Sequence, residues 1–129
     1  MTWIALKTRH FHRWARKTGL SDKALSDAGI EMVNGLIDAD LGAGIVKKRV
    51  ALPGHGNRGS PRTLLATNRD DRWVFVFGFE KNDRANVSAR ELEALRLLAG
   101  DLLALSSEPV GEAIDSGYLL EVSNEADNC

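Results

Sequence analysis

The residues that could do chemistry are mostly cations gathered in the middle of the chain. Lys47, Lys48, Arg49, Arg58, Arg62, Lys81 and Arg84 surround two apolar runs, Thr63-Leu64-Leu65-Ala66 and Trp73-Val74-Phe75-Val76-Phe77. Cations carried on short strands make a rigid surface suited to phosphate. The overall formal charge of −1 conceals this arrangement. Seven of the eighteen acids (Asp101, Glu108, Glu112, Asp115, Glu121, Glu125 and Asp127) lie in residues 101–129, which contain no Lys or Arg. Residues 1–100 therefore set seventeen bases against eleven acids, a net +6. A basic body followed by an acidic end points to a nucleic-acid partner.

The 129 residues suit one compact domain, expected over residues 1–122, with 123–129 a disordered acidic tail. At 43% hydrophobic and 27% charged, the composition is that of a folded globular protein. No apolar run approaches the ~20 residues of a membrane-spanning helix. Lys7, Arg9, Arg13 and Arg16 stand where a signal peptide would be apolar, so a cytoplasmic protein is expected. The one cysteine is Cys129, which leaves no internal disulfide, no thiol nucleophile and no Cys-based metal site. His10 and His12 are two apart and His55 stands alone, so metal-ligand spacing is lacking. The Gly-rich segment 53–61 has no Gly-Lys-Ser/Thr ending, which removes a nucleotide-binding P-loop. Neither metal nor cofactor is expected.

Thr2 to Leu6 is short and apolar and fits an opening strand. Apolar residues at Phe11, Trp14 and Ala15 predict a helix over 7–17 ending near Gly19. Ser21 and Asp22 cap a second helix, with Leu25, Ala28, Met32 and Leu36 inward. The two read as a helical hairpin, broken by the Gly-containing segment 38–44. Strands are predicted over 45–52, 63–67 and 72–79, the last two joined by a turn at Asn68 to Asp71. Strict alternation would place Trp73, Phe75, Phe77 and Phe79 on one core face. Ser88 and Glu91 form a capping-box pattern for a third helix bearing Leu92, Leu95, Leu98, Ala99 and Leu102. A shorter helix near 109–116 stops at Gly117, and an extended Tyr118–Val122 follows. The expected fold is α+β: an N-terminal helical hairpin packed on a small antiparallel sheet, then C-terminal helices.

Three segments carry a family resemblance: Lys47-Lys48-Arg49-Val50-Ala51, the loop ending Arg58-Gly59-Ser60-Pro61-Arg62-Thr63, and Phe79-Glu80-Lys81-Asn82-Asp83-Arg84-Ala85-Asn86. Together they resemble the RelE/HigB toxins of bacterial type II toxin–antitoxin systems, and within them the HigB-like branch with a Lys-Asn pair after its last central strand. The likeness runs from about Thr2 to Val122. It implies a RelE-like fold and a small ribonuclease that cleaves messenger RNA on the ribosome. It also implies a cognate antitoxin, a small helix-turn-helix protein that silences the toxin and links it to DNA. Two positions depart from the pattern. Ser60-Pro61 precedes Arg62 where many relatives carry an aromatic or glycine, and the single tyrosine, Tyr118, lies in the tail.

Cleavage of RNA by its own 2′-hydroxyl needs one proton removed, one donated, and charge on the phosphorane stabilised. Arg62 offers a planar fork to two phosphate oxygens, which lysine matches only as a point charge. Lys81, just past the aromatic strand, suits a second clamp or a proton carrier. Alternation sends Lys47 and Arg49 to one strand face, leaving Lys48 at the margin. Arg62, Lys81, Arg49 and Lys47 are therefore the catalytic candidates, and Arg58, Asn82, Arg84 and Lys48 the RNA-binding ones. Each also fits a plainer role. Lysines blunt an edge strand, Arg62 has Asp70 as a possible ion-pair partner, and Asn82 with Asn86 suits turn geometry. A non-catalytic protein that binds an antitoxin or DNA, and a gyrase-poisoning toxin of the ParE type, are the competing functional readings.

Overall fold

A computed structural model describes residues 3–51 and 60–122. Arg58, His55, the loop glycines and the tail from Ser123 to Cys129 lie outside the described residues. The chain opens with β1 (Ile4–Thr8), followed by α1 (Arg9–Thr18) and α2 (Asp22–Val33). Four strands come next: β2 (Ala39–Gly42), β3 (Ile45–Arg49), β4 (Arg62–Thr67) and β5 (Arg72–Phe79). Then α3 (Ala89–Ala104), α4 (Ser107–Ser116) and β6 (Leu119–Glu121) complete the described chain.

The six strands form one sheet in the order β2-β3-β4-β5-β1-β6. β1 runs parallel to β5 and antiparallel to β6, and the remaining pairs are antiparallel. The α+β class is as expected, but the N-terminal helical hairpin on a small antiparallel sheet is not. A strand comes first, and the sheet is mixed. Leu6, Lys7 and Thr8 are all buried, so β1 needs backbone partners on both sides and finds them between β5 and β6. The segment 38–44 is no simple break either. It forms edge strand β2 and a tight turn in which Gly42, Ala43 and Gly44 all have positive φ.

Local chemistry explains where the helices begin and end. The Thr8 hydroxyl accepts the Phe11 N–H at the start of α1, and Gly19 at φ 91° ends it. Ser21 caps α2 through the Ala24 N–H. That helix stops at Val33, a turn earlier than the apolar spacing predicts, because Gly35 at φ 97° leaves the helical region. Leu36 is consequently 60% exposed rather than part of the core. Ser88 and Glu91 form the predicted capping box of α3.

Helices cover both sheet faces. Phe11, Leu25 and Met32 of α1 and α2 pack on Val46, Leu65, Trp73 and Phe75. On the opposite face, Leu95, Ala99, Leu102 and Val110 of α3 and α4 pack on Leu6, Ile45, Leu64, Ala66, Val74 and Val76. The aromatic strand does not alternate throughout. Leu64 pairs with Phe77 but Leu65 pairs with Phe75, so Val76 is an extra residue, a β-bulge. Val76 and Phe77 therefore share the α3/α4 side, while Trp73 and Phe75 lie under α1 and α2. The expectation of one continuous aromatic face is thereby corrected. Past the bulge Gly78 faces α1, where an added Cβ would sit 2.2 Å from the Trp14 ring, so glycine permits the helix to approach.

Candidate functional site

Alternation along β3 separates two adjacent lysines. Val46 and Lys48 point to α2, so Lys47 and Arg49 belong to the other face. The Lys48 ammonium is buried, 2.7 Å from Glu31 Oε1, and donates to the Leu36 carbonyl at 3.0 Å. It is held beneath α2, apart from the cations with which the sequence groups it. A cleft between α2 and β3 mixes Asp27, Glu31 and Asp38 with Lys23, Lys48 and Arg49, a lining with as many acids as bases; Arg49, at the strand end, borders it as well as the end of the sheet.

The remaining cations gather at the end of the sheet where β3 and β5 finish and β4 begins. Arg49, Arg62 and Phe79 stand in register across these three strands, and Lys47, Leu64 and Phe77 form the next row. Directly opposed residues on antiparallel strands are neighbours, so the side chains of Arg49 and Arg62 start next to each other. Like charges there are tolerable only because each has local acceptors. Arg62 donates to the Ser60 carbonyl at 2.6 Å, and Arg49 Nε lies 3.4 Å from Asp38 Oδ1. Asp38 also accepts the Arg49 backbone N–H at 2.7 Å, which fixes the strand end. Arg62 makes no bridge to Asp70, which sits in the turn at the opposite end of β4 and β5.

Beyond β5 the chain turns at Glu80, whose carbonyl accepts the N–H groups of Asp83 and Arg84. This turn exposes Lys81 and Asn82 at the same end of the sheet. Among the described residues no acid lies within ion-pair distance of the Lys47 or Lys81 ammonium. The turn also brings Arg84 back over Phe77 and Phe79, its guanidinium carbon 5.5 and 5.9 Å from their ring centres. Glu91 Oε1 holds Arg84 from the other side at 2.6 Å. Its carboxyl is kept below the usual range, first by the Ser88 backbone N–H and then by Arg84.

Several bases sit elsewhere and are structural. Arg9 donates to the carbonyls of Ser116 and Gly117 at the end of α4, and Arg72 to those of Leu102 and Leu105 at the end of α3. Helix C-termini favour such cations. Arg96 donates to the Leu41 carbonyl. Arg9, Arg72 and Arg96 thus direct their charge to backbone carbonyls, while Arg13 and Arg16 stay exposed along α1.

Two features of this end escape the sequence. The His10 ring lies nearly parallel to Phe77, at 13°, with ring centres 6.4 Å apart. Tyr118, placed in the tail by sequence position, is brought beside the start of α1, its carbonyl accepting the Arg9 N–H. Both contacts link segments far apart in the chain, and no local pattern announces them. His12 is a different case. It is partly buried, and that burial, with Lys7 and Arg16 nearby, holds its pKa below the usual imidazole value. Among the described residues no group of three or more His, Cys, Asp or Glu could hold a metal ion. Nor is any described helix long and apolar enough to cross a membrane.

The sequence model described as the RelE toxin of the RelE/RelB toxin–antitoxin system matches residues 4–122. The chain belongs to the RelE toxin family. It is a toxin of a toxin–antitoxin system, and its family implies a cognate antitoxin as partner. No curated protein gives a significant match.

Proposed function

We propose that this toxin is a HigB-like endoribonuclease that cleaves messenger RNA on the ribosome and so inhibits translation in the cytoplasm. The observation that carries this reading is the register pairing of Arg49 with Arg62 beside Phe79 at the end of the sheet. Two adjacent guanidinium groups suit a phosphate whose charge grows in the transition state. In this reading Arg62 takes two phosphate oxygens, with Arg49 and Lys47 stabilising the developing charge. Lys81 is the second clamp or proton carrier, and Asn82 and Arg84 hold the flanking strand. Lys48, buried against Glu31, has no part in it. The antitoxin is a small helix-turn-helix protein, and DNA is reached only through the complex with it.

The test is messenger RNA cleavage by the full chain in the presence of ribosomes. Removing one charge-stabilising donor from such a site costs about 10²–10³-fold in rate, so Arg62→Ala should fall by that much. Lys81→Ala should fall as well, and both variants should relieve growth arrest while still folding and binding antitoxin. If expression of the unaltered chain leaves growth and messenger RNA untouched, the nuclease reading is wrong. DNA damage signalling on expression would favour gyrase poisoning instead. A small helix-turn-helix reading frame next to the gene would support the antitoxin assignment.

A further inference from the structure

The exposed imidazole of His10 has no role in the chemistry above. Packing does not account for it either, since α1 buries Phe11 and Ala15 and leaves His10 to solvent. Its ring nevertheless lies 13° from the plane of Phe77, 6.4 Å centre to centre. Phe77 is itself only partly buried and carries Arg84 at 5.5 Å. Two residues on, Phe79 stands in register with Arg62. From the start of α1 to the cation cluster the surface therefore presents an imidazole, a phenyl ring, one guanidinium and then another. Single-stranded nucleic acid is held by this kind of alternation, with bases stacked on planar side chains and phosphates on cations.

We propose that His10 and Phe77 form a stacking subsite for one base of a single-stranded RNA whose phosphates lie toward Arg84 and Arg62. The inference rests on the RNA-binding part of the proposed function and is independent of cleavage. Arg84 can serve from where it stands. A guanidinium has five N–H donors, and its hydrogen bond to Glu91 uses the NH1 end alone. The near-parallel imidazole extends a planar surface from Phe77 toward solvent, where a base has access.

The experiment measures binding of a short 2′-O-methyl RNA oligonucleotide, which has no free 2′-hydroxyl to attack, by fluorescence anisotropy with the full chain. One stacked base is worth about 1–3 kcal/mol, so His10→Ala should weaken binding roughly 5- to 150-fold. His10→Phe keeps a planar ring and should stay within about twofold of the unaltered chain. An abasic oligonucleotide should bind His10→Ala and the unaltered chain alike. The subsite is overturned if the unaltered chain does not bind, or if His10→Ala binds as well as it does. It is equally overturned if His10→Phe is as weak as His10→Ala, or if the abasic strand loses as much, since charge or proton transfer would then be the role of His10. Ribosome-dependent cleavage separates this result from the nuclease reading. A chain that binds through His10 but does not cleave removes the enzyme and keeps the subsite, and a chain that cleaves with His10→Ala binding normally does the reverse.

Discussion

Lys47 and Lys48 are neighbours in sequence and opposites in structure. Lys48 passes under α2, where Glu31 and the Leu36 carbonyl satisfy its ammonium away from solvent. Lys47 lies in the row beside Arg49 and Arg62, with no acid in reach among the described residues. Lys48 uses its charge to close the fold, and Lys47 leaves its charge available to a ligand. A cation's type therefore says little about its purpose, and the strand face that carries it says more.

This contrast can be broken from the α1/α2 side first. Gly78→Ala pushes a methyl group into the Trp14 ring, and overpacking of this kind should cost about 1–3 kcal/mol in denaturant unfolding. RNA binding per folded molecule should be unchanged. Glu31→Gln leaves the buried Lys48 ammonium without its counter-charge. Because the Leu36 carbonyl still accepts from it, the expected loss is smaller, about 1–2 kcal/mol, again without effect on RNA.

At the other end of the sheet the smallest effect is a pH dependence. The Glu91 carboxyl is held below its ordinary value of 4.5 by the Ser88 N–H and Arg84. A depressed carboxylate stabilises the fold fully above the ordinary value and loses that contribution as pH falls through the lower folded value. The melting temperature of the native chain should exceed that of Glu91→Gln at pH 7, and the gap should close on acidification below about 4.5. A gap that stays constant down to pH 3 would show that the carboxylate charge does not hold this helix start.

Period-two reading was informative on β3 and failed on β5 for one physical reason. β3 pairs with β4 without interruption, so alternation correctly separates Lys47 and Arg49 from Lys48. β5 carries a bulge at Val76, which moves Phe77 and Phe79 away from Trp73 and Phe75. Gly78, a glycine inside the strand, is the one local sign of irregularity there, and it does not say which residue is the extra one. The helix caps at Ser21, Ser88 and Gly117 were legible because they depend on a few adjacent atoms. The place of β1 between β5 and β6 depends on pairing across most of the chain, as do the stacking of His10 on Phe77 and the return of Tyr118 to α1. The candidate cations could thus be read from the sequence, while the rings around them could not.

On β3 charge is divided between a closed face and an open end. Lys47→Met and Lys48→Met, compared side by side in ribosome-dependent cleavage and thermal unfolding, test it most directly. Lys47→Met should lose about tenfold or more in cleavage at an unchanged melting temperature, as expected for a lost phosphate contact. Lys48→Met should keep its cleavage rate, any change being confined to melting. Full activity in Lys47→Met together with loss of cleavage in a well-folded Lys48→Met would contradict that division.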